Sequence, residues 1–159
     1  MNKILKTNLY ALLAGLILFA GLSACNQKAS TQKFQATDIT GVEFGKDFQL
    51  TDHNGKLRTL ADFKGKAVVM FFGYTHCPDV CPTTMSDMTQ ALELLGKDAD
   101  KVQVLFVTID PLRDTQELLA KYVPAFNPGF LGLYGDEAAT VKVAKDFRIF
   151  YQKKQDKNS

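Results

Sequence analysis

Cysteine and histidine are both scarce in this chain. Its 159 residues include three cysteines and two histidines. A structural zinc site takes four protein ligands, and an iron–sulfur cluster takes about four cysteines. Only His76 lies beside the one close pair of cysteines, Cys77 and Cys81. The ligands available are therefore too few for a structural zinc site or for a cluster.

Charged residues are missing between positions 7 and 24. Lys3 and Lys6 precede this apolar run, and Ser23 and Ala24 follow it. A basic start, an apolar run and small residues are typical of an export signal, and the run is at the short limit for a transmembrane helix. Ser-Ala-Cys resembles a bacterial lipobox, which implies cleavage before Cys25 and lipid on its thiol and amine. An uncleaved N-terminal anchor is the alternative.

An excess of charge of either sign is also missing. Of the 19 basic residues, two would be lost with the signal peptide at residues 1–24, which leaves 17 against 17 acidic residues. No block of like charge indicates binding to nucleic acid or a polybasic membrane patch. We therefore expect no nucleic-acid partner, and we expect the lipid on Cys25 to attach the protein to the membrane.

The segment after Cys25 is polar and has no hydrophobic period, which predicts a lipidated, flexible tether at residues 25–40. The remainder, residues 41–159, is long enough for a single domain with its own core. We find no internal repeat and no second domain in it.

The first part of the domain shows a hairpin, a strand and a helix. Asp52-His53-Asn54-Gly55 predicts a hairpin turn, because Asn-Gly accepts the positive φ angles of tight turns. The apolar run at 67–74 predicts a strand buried on both faces. Apolar residues then recur at three- and four-residue spacing, which predicts one helix that ends near Gly96. They are Met85, Met88, Leu92 and Leu95.

Later segments continue the alternation of strand and helix. They are a strand at 102–110, a helix from Asp114 or Thr115 to about Phe126, a strand at 129–135, a helix from Asp136 to about Asp146, and the start of a strand at 147–152. Pro124 is expected to weaken the last turn of the second helix. Alternating strands and helices predict a parallel α/β fold.

Cys77 and Cys81 fall where the first buried strand leads into its helix. This edge of a parallel sheet is where such folds place their ligands. Pro82 suits the first turn of a helix, so the two thiols flank a helix N-terminus whose N–H groups stabilise a thiolate.

Three uses of the CxxxC pair remain open from its spacing alone: a structural disulfide, a redox pair and a metal site. Residues four apart in one turn fall within the Cα separation of a disulfide, and the same spacing lets both sulfurs face one soft cation such as Cu(I). A structural bridge across so short a loop contributes little stability through chain entropy, so a redox pair or a metal site is favoured.

The segments FFGYTHCPDVCPTTM and VTIDPLRDT together closely resemble the Sco (SenC) family of cytochrome oxidase assembly proteins. The resemblance runs over about residues 42–152, and the CPDVCP core is highly specific. It implies a thioredoxin-like α/β fold with an N-terminal β-hairpin, held on the periplasmic side of the cell envelope by the lipid anchor.

The resemblance also implies a function. Cys77 and Cys81 would bind copper, as Cu(I) or Cu(II), and the protein would deliver it to the copper A subunit of a cytochrome c oxidase. The expected role is thus a metallochaperone. The alternative is an enzyme, a thiol–disulfide oxidoreductase in which the same two cysteines are catalytic and keep the oxidase cysteines reduced.

One part of the family pattern is expected to be absent. The family takes its third copper ligand from a His well past the third helix, whereas this sequence contains only His53 and His76 and ends at Ser159. We expect a C-terminally truncated member that lacks this His, the closing hairpin and the last helix.

Several residues near the motif have expected roles of their own. His76 is interpreted as an exposed neighbour that tunes the thiol pKa, His53 as a turn residue and Asp79 as a solvated loop residue. Met85 and Met88 are expected in the core because of their helical spacing with leucines.

Two acidic residues follow the second buried strand. Asp110 is either a partner of the thiol site or a cap, and the sequence leaves both possibilities open. Arg113 and Asp114 are expected to form the turn and the cap of the next helix.

Overall fold

The computed structural model describes residues 35–152. The predicted signal peptide, Cys25 and most of the predicted tether lie outside the described residues. A compact unit begins at Gly41. Within residues 35–152, no helix has the length and apolar character needed to cross a bilayer.

Five strands and three α-helices make up the described structure. In chain order they are β1 (Leu50–Asp52), β2 (Leu57–Arg58), β3 (Ala67–Gly73), α1 (Val80–Leu95), β4 (Val102–Thr108), α2 (Gln116–Tyr122), β5 (Leu131–Tyr134) and α3 (Glu137–Asp146). Short 3₁₀ helices occupy Leu60–Phe63 and Gly96–Lys101.

The strands form one sheet in the order β2-β1-β5-β4-β3. β3, β4 and β5 run parallel, and β1 pairs antiparallel with both β5 and β2. This confirms the predicted α/β fold with an N-terminal hairpin, whose turn contains Gly55 at φ 82°.

The core lies on both faces of β4, because successive side chains of a strand point to opposite faces. Leu105 and Val107 join one cluster, which also includes Val143 of α3. Val104 and Phe106 join the other, which includes Met85 of α1 and Leu119 of α2. Helices thus cover both faces of the sheet, as expected for a parallel α/β fold.

Three predictions about elements need correction. The strand predicted at 67–74 is only partly buried, because β3 lies at an edge of the described sheet and Val69 is exposed, although Phe71 and Phe72 pack against the two core clusters. The second helix ends at Tyr122 rather than near Phe126, because Pro124 follows and proline does not continue a helix. Residues 147–152 form no strand, and Arg148 has a positive φ of 58°.

Candidate thiol site at the carboxyl edge of the sheet

The thiol pair lies in the connection from β3 to α1. β3 ends at Gly73, which pairs in parallel register with Thr108 at the end of β4. The chain turns at Thr75 and His76, and α1 starts at Val80, so Cys77 precedes the helix and Cys81 lies in its first turn. Both cysteines therefore flank a helix N-terminus at the carboxyl edge of the parallel strands.

A backbone contact ties the two cysteines together. The N–H of Cys81 donates a hydrogen bond to Sγ of Cys77 at 3.5 Å. Both cysteines are free thiols; Cys77 is half-buried, and Cys81 is only 5% exposed. One thiol is thus accessible at the surface while the other lies beneath it.

The accessible thiol is the more acidic of the two. Burial raises the pKa of Cys77, but the backbone N–H groups of Asp79 and Cys81, the Cys81 thiol and the Tyr74 hydroxyl all donate hydrogen bonds to its sulfur. These bonds outweigh burial, so the pKa of Cys77 lies below the ordinary thiol value. A helix N-terminus is a setting in which reactive thiolates are found.

The buried thiol has the opposite electrostatic environment. Burial raises the pKa of Cys81 to about 11, and the Tyr74 N–H opposes this only in part. Negative charge on Cys77 and on Asp114 acts in the same direction as burial. Cys81 is therefore a neutral thiol in the folded protein at neutral pH.

Gly73 allows the buried thiol its position. A Cβ atom at Gly73 would lie 3.1 Å from Sγ of Cys81 and 3.0 Å from the rings of Phe71 and Phe106. These distances are shorter than ordinary van der Waals contacts, so the sulfur occupies space that a larger residue would take. The glycine that ends β3 is thus part of the thiol site.

Asp114 anchors the loop that carries the cysteines. Its side chain is buried and accepts hydrogen bonds from the N–H of Thr75 at 3.0 Å and from the Thr75 hydroxyl at 2.6 Å. The hydroxyl of Thr108 donates a third bond at 2.6 Å. Asp114 therefore joins the end of β4 to the thiol loop across 39 positions of sequence, a role that the local sequence pattern did not indicate.

The helix cap predicted at Asp114 or Thr115 belongs to Thr115. Its side chain accepts from the N–H of Leu118 at 3.3 Å. The alternative left open for Asp110 is also decided, because its carboxylate accepts from Arg113 at 2.5 Å, within the turn that follows β4. Asp110 forms no hydrogen bond with either thiol, so it belongs to the turn and not to the thiol site.

The histidines have separate environments. His76 has an exposed side chain. Its Nδ1 lies 3.1 Å from the Thr75 hydroxyl and 3.7 Å from Oδ1 of Asp114. His53 lies in the hairpin turn, as predicted, but it is buried, and its Nδ1 accepts from the N–H of Gly132 at 3.0 Å. Burial lowers the pKa of His53, which keeps the ring neutral.

Two further interpretations are confirmed by burial. Met85 is fully buried, and Met88 packs against the same cluster. Asp79 is exposed, as expected for a solvated loop residue.

Residues 35–152 contain no group of three or more His, Cys, Asp and Glu side chains that could hold a metal ion. The two neighbouring sulfurs form a soft donor pair, which suits Cu(I) and falls short of the four ligands of structural zinc. Within the described part of the chain, the two sulfurs are the groups that could hold a soft cation at this site.

Comparisons with known proteins show the family of this chain. The SCO1/SenC family model matches residues 36–159. The SCO2-like protein of Rickettsia felis is 41% identical over 110 residues, which cover 69% of this chain and 54% of that protein. The chain thus spans about half the length of this curated relative.

Solved structures show the same thioredoxin-like fold. Copper-bound ScoI of Bradyrhizobium japonicum is 46% identical, with a TM-score of 0.68, over 72% of this chain and 73% of that one. A SCO1/SenC family lipoprotein of Bacillus anthracis is 30% identical, with a TM-score of 0.56, over 65% of this chain and 64% of that one.

Proposed function

Because this chain belongs to the SCO1/SenC family, we propose that it binds copper through Cys77 and Cys81 and delivers it to the copper A site of a cytochrome c oxidase. The single observation that carries the proposal is that Sγ of Cys77 accepts hydrogen bonds from both the N–H and the thiol of Cys81, so the two sulfurs are neighbours at a helix N-terminus. A helix N-terminus stabilises negative charge on sulfur, which is the form that binds metal.

The donor set favours Cu(I) as the cargo. Thiolates are soft ligands, and Cu(I) accepts low coordination numbers more readily than zinc does. Copper binding by the ScoI relative of Bradyrhizobium japonicum supports the same choice. A third ligand, if the complete protein supplies one, would come from outside residues 35–152.

Transfer of copper would proceed by ligand exchange between thiols. Cys77 is the more accessible sulfur, so an incoming thiolate of the partner would replace it first, and Cys81 would be released afterwards. Val80, at the start of α1, and Leu112, in the loop after β4, are exposed apolar residues at this sheet edge. We propose that the copper A subunit of the oxidase contacts this edge.

The proposed location of the protein rests on Cys25. We propose that the signal peptide of residues 1–24 is removed, that Cys25 is lipidated and that the domain lies on the periplasmic side of the cell envelope. The lipobox-like sequence and the likeness to the Bacillus anthracis lipoprotein support this proposal.

A thiol–disulfide reductase is the second candidate, and the unequal thiols favour it. The Cys77 thiolate would attack a disulfide of the partner, form a mixed disulfide and release one partner thiolate. Cys81 would lose its proton and attack Cys77, which releases the second partner thiolate and leaves a Cys77–Cys81 disulfide. The pair would supply both electrons.

Anaerobic titration with Cu(I) tests the proposed function. The full-length protein in detergent, reduced beforehand, competes for Cu(I) with a chelator of known affinity. We expect tight binding of one Cu(I), lost in both Cys77→Ser and Cys81→Ser. Cys25→Ser is the matched control, because it removes the third thiol and should bind as the wild type does.

Circular dichroism of each variant confirms that it is folded. Loss of Cu(I) from a folded wild-type protein to the chelator would overturn copper binding and leave the reductase as the leading function. Trapping of a mixed disulfide by Cys81→Ser but not by Cys77→Ser would then support that alternative.

A further inference from the structure

Tyr122, at the end of α2, has a buried hydroxyl without a partner. Its oxygen is inaccessible to solvent and makes no hydrogen bond among the described residues. A buried hydroxyl without a partner destabilises the folded protein, because it has lost its hydrogen bonds to water and gained none. Native proteins rarely keep such a group, which suggests that the Tyr122 hydroxyl forms a hydrogen bond in another state of the site.

The Tyr122 side chain lies in the cluster that surrounds the buried thiol. Its ring packs against Phe106, with 5.7 Å between ring centroids, and against Phe126 at 5.1 Å. The edge of Phe106 and the sulfur of Cys81 both approach the Cβ position of Gly73, at 3.0 Å and 3.1 Å. Tyr122, Phe106 and Cys81 are therefore neighbours on one side of β4.

The electrostatic environment of Tyr122 agrees with this arrangement. The pKa of Tyr122 is raised to about 12, and burial is the largest cause. Negative charge on Cys81, on Cys77 and on Asp114 raises it further, in that order. The charge on Cys81 affects the hydroxyl most among the three. Asp114 is a poorer candidate partner, because it already accepts three hydrogen bonds.

We propose that Tyr122 is a positioning residue for the thiol pair, whose hydroxyl donates a hydrogen bond to Sγ of Cys81 when that sulfur carries negative charge. A neutral thiol sulfur is a weak acceptor, so the bond is not expected in the reduced, unloaded protein. A thiolate bound to a soft cation is a better acceptor, and the hydroxyl then has a partner. Tyr74 already makes the equivalent contact with Cys77, so in the charged state each sulfur would have its own tyrosine.

This inference rests on the proposed function for the identity of the cation but not for the hydrogen bond itself. Tyr122→Phe removes only the hydroxyl and should weaken Cu(I) binding about tenfold, as expected when a hydrogen bond to a charged group is lost. The unloaded variant should be at least as resistant to urea as the wild type, because it no longer buries an unpaired hydroxyl. A residue with only a structural role would not give these opposite changes.

Tyr134→Phe is the matched control. Tyr134, like Tyr122, is a half-buried residue, but its hydroxyl already has a partner and donates to Oε1 of Gln116 at 2.8 Å. We expect this variant to keep wild-type affinity for Cu(I). An equal loss of affinity in both variants, or no loss in Tyr122→Phe, would overturn the inference.

A spectroscopic readout separates the inference from the proposed function. Full-length protein labelled with 13Cζ-tyrosine is followed by NMR before and after loading with mercury(II), which binds thiol pairs whether or not copper is their cargo. The Tyr122 resonance, identified by its loss in Tyr122→Phe, should shift on loading, and the Tyr134 resonance should not. If the Tyr122 resonance does not shift on loading, the inference is overturned. If it shifts but the protein loses Cu(I) to the chelator, only copper binding is overturned.

Discussion

At the scale of single residues, the two cysteines share a motif but not an environment. Cys77 receives hydrogen bonds from the start of α1 and from Tyr74, and these lower its pKa. Burial raises the pKa of Cys81 to about 11. The pair therefore contains one thiol that reacts at the surface and one that is protected beneath it.

We predict that the two thiols react at different rates. In brief treatment of the reduced protein with iodoacetamide at pH 8, Cys77 should be labelled about tenfold or more faster than Cys81, because the thiolate is the reactive form. Peptide mass spectrometry measures both rates, and denaturant should bring them together. Equal labelling in the folded protein would contradict the assignment.

Asp114 acts on the site from a distance along the chain. We predict that Asp114→Asn lowers the free energy of unfolding by about 1–3 kcal/mol. Both carboxylate oxygens of Asp114 accept hydrogen bonds, and the NH2 group that replaces one of them cannot accept. Urea unfolding measures the loss.

Asp110→Asn is the control for this prediction, since Asp110 pairs with the exposed Arg113 side chain. Asp110 is itself buried, but an Asn at this position keeps an acceptor for Arg113, so the loss should stay within about 1 kcal/mol. A larger loss in Asp110→Asn than in Asp114→Asn would show that the loop is not anchored as described.

At the scale of elements, the site depends on how β3, β4 and α1 meet. β3 and β4 end in register at Gly73 and Thr108, so the loops after both strands lie at one edge. The first turn of α1 then places Cys81 directly over Gly73. The strands set the position, and the helix N-terminus supplies the electrostatic environment.

We predict that Gly73→Ala damages this junction. The added methyl group would meet Cys81 and two phenylalanine rings at about the closest distances that atoms tolerate, so a loss of about 1–3 kcal/mol in unfolding free energy is expected. Cu(I) affinity should also fall, because the sulfur must move. Urea unfolding and chelator competition measure the two effects.

Gly129→Ala provides the comparison, since the nearest atom to its added methyl group is the flexible side-chain oxygen of Asn127, at 3.2 Å. This variant should keep its Cu(I) affinity. A similar loss of affinity in both glycine variants would argue against a special role for Gly73.

At the scale of the molecule, one buried histidine helps to join the hairpin to the parallel strands. The N–H of His53 donates to the carbonyl of Gly132 at 2.9 Å, and its Nδ1 accepts from the N–H of the same residue at 3.0 Å. Asp52, also buried, accepts from Asn54, Lys56 and Arg58 and so shapes the hairpin turn. The antiparallel hairpin is thus fixed to β5 by polar groups as well as by the core.

We predict that this junction makes stability depend on pH. Burial lowers the pKa of His53 below its ordinary value of 6.5, so the unfolded chain binds a proton that the folded protein excludes. The contribution of His53 to the free energy of unfolding is fully present above pH 6.5 and is lost as the pH falls through the folded pKa. The slope is at most about 1.4 kcal/mol per pH unit. Urea unfolding between pH 7 and pH 5 measures the slope.

His53→Asn keeps an acceptor near the position of Nδ1 but does not titrate. Its stability should be lower at pH 7 and should change less between pH 7 and pH 5. An equal slope in the variant would assign the pH dependence to other groups.

Patterns of a few residues predicted much of the described fold. The spacing of Met85 and Met88 with the following leucines identified α1, Asn54-Gly55 identified the hairpin turn, and the apolar run at 102–110 identified β4. The predictions failed where the structure of a segment depends on which other segments pack against it. β3 has an apolar sequence but lies at an edge of the described sheet, and residues 147–152 have the pattern of a strand but form no strand.

The sequence by itself determined the family and the two thiols, because a CxxxC motif before a helix is a local arrangement that four or five neighbouring residues create. Only the tertiary structure decided which thiol is buried, which carboxylate anchors the loop and which tyrosine packs against Phe106 on the side of β4 where the buried thiol lies. Asp114 and Tyr122 reach the site from positions more than thirty residues away. Their convergence depends on the parallel pairing of β3 with β4 and on the packing of α2 against the sheet, which no short stretch of sequence encodes.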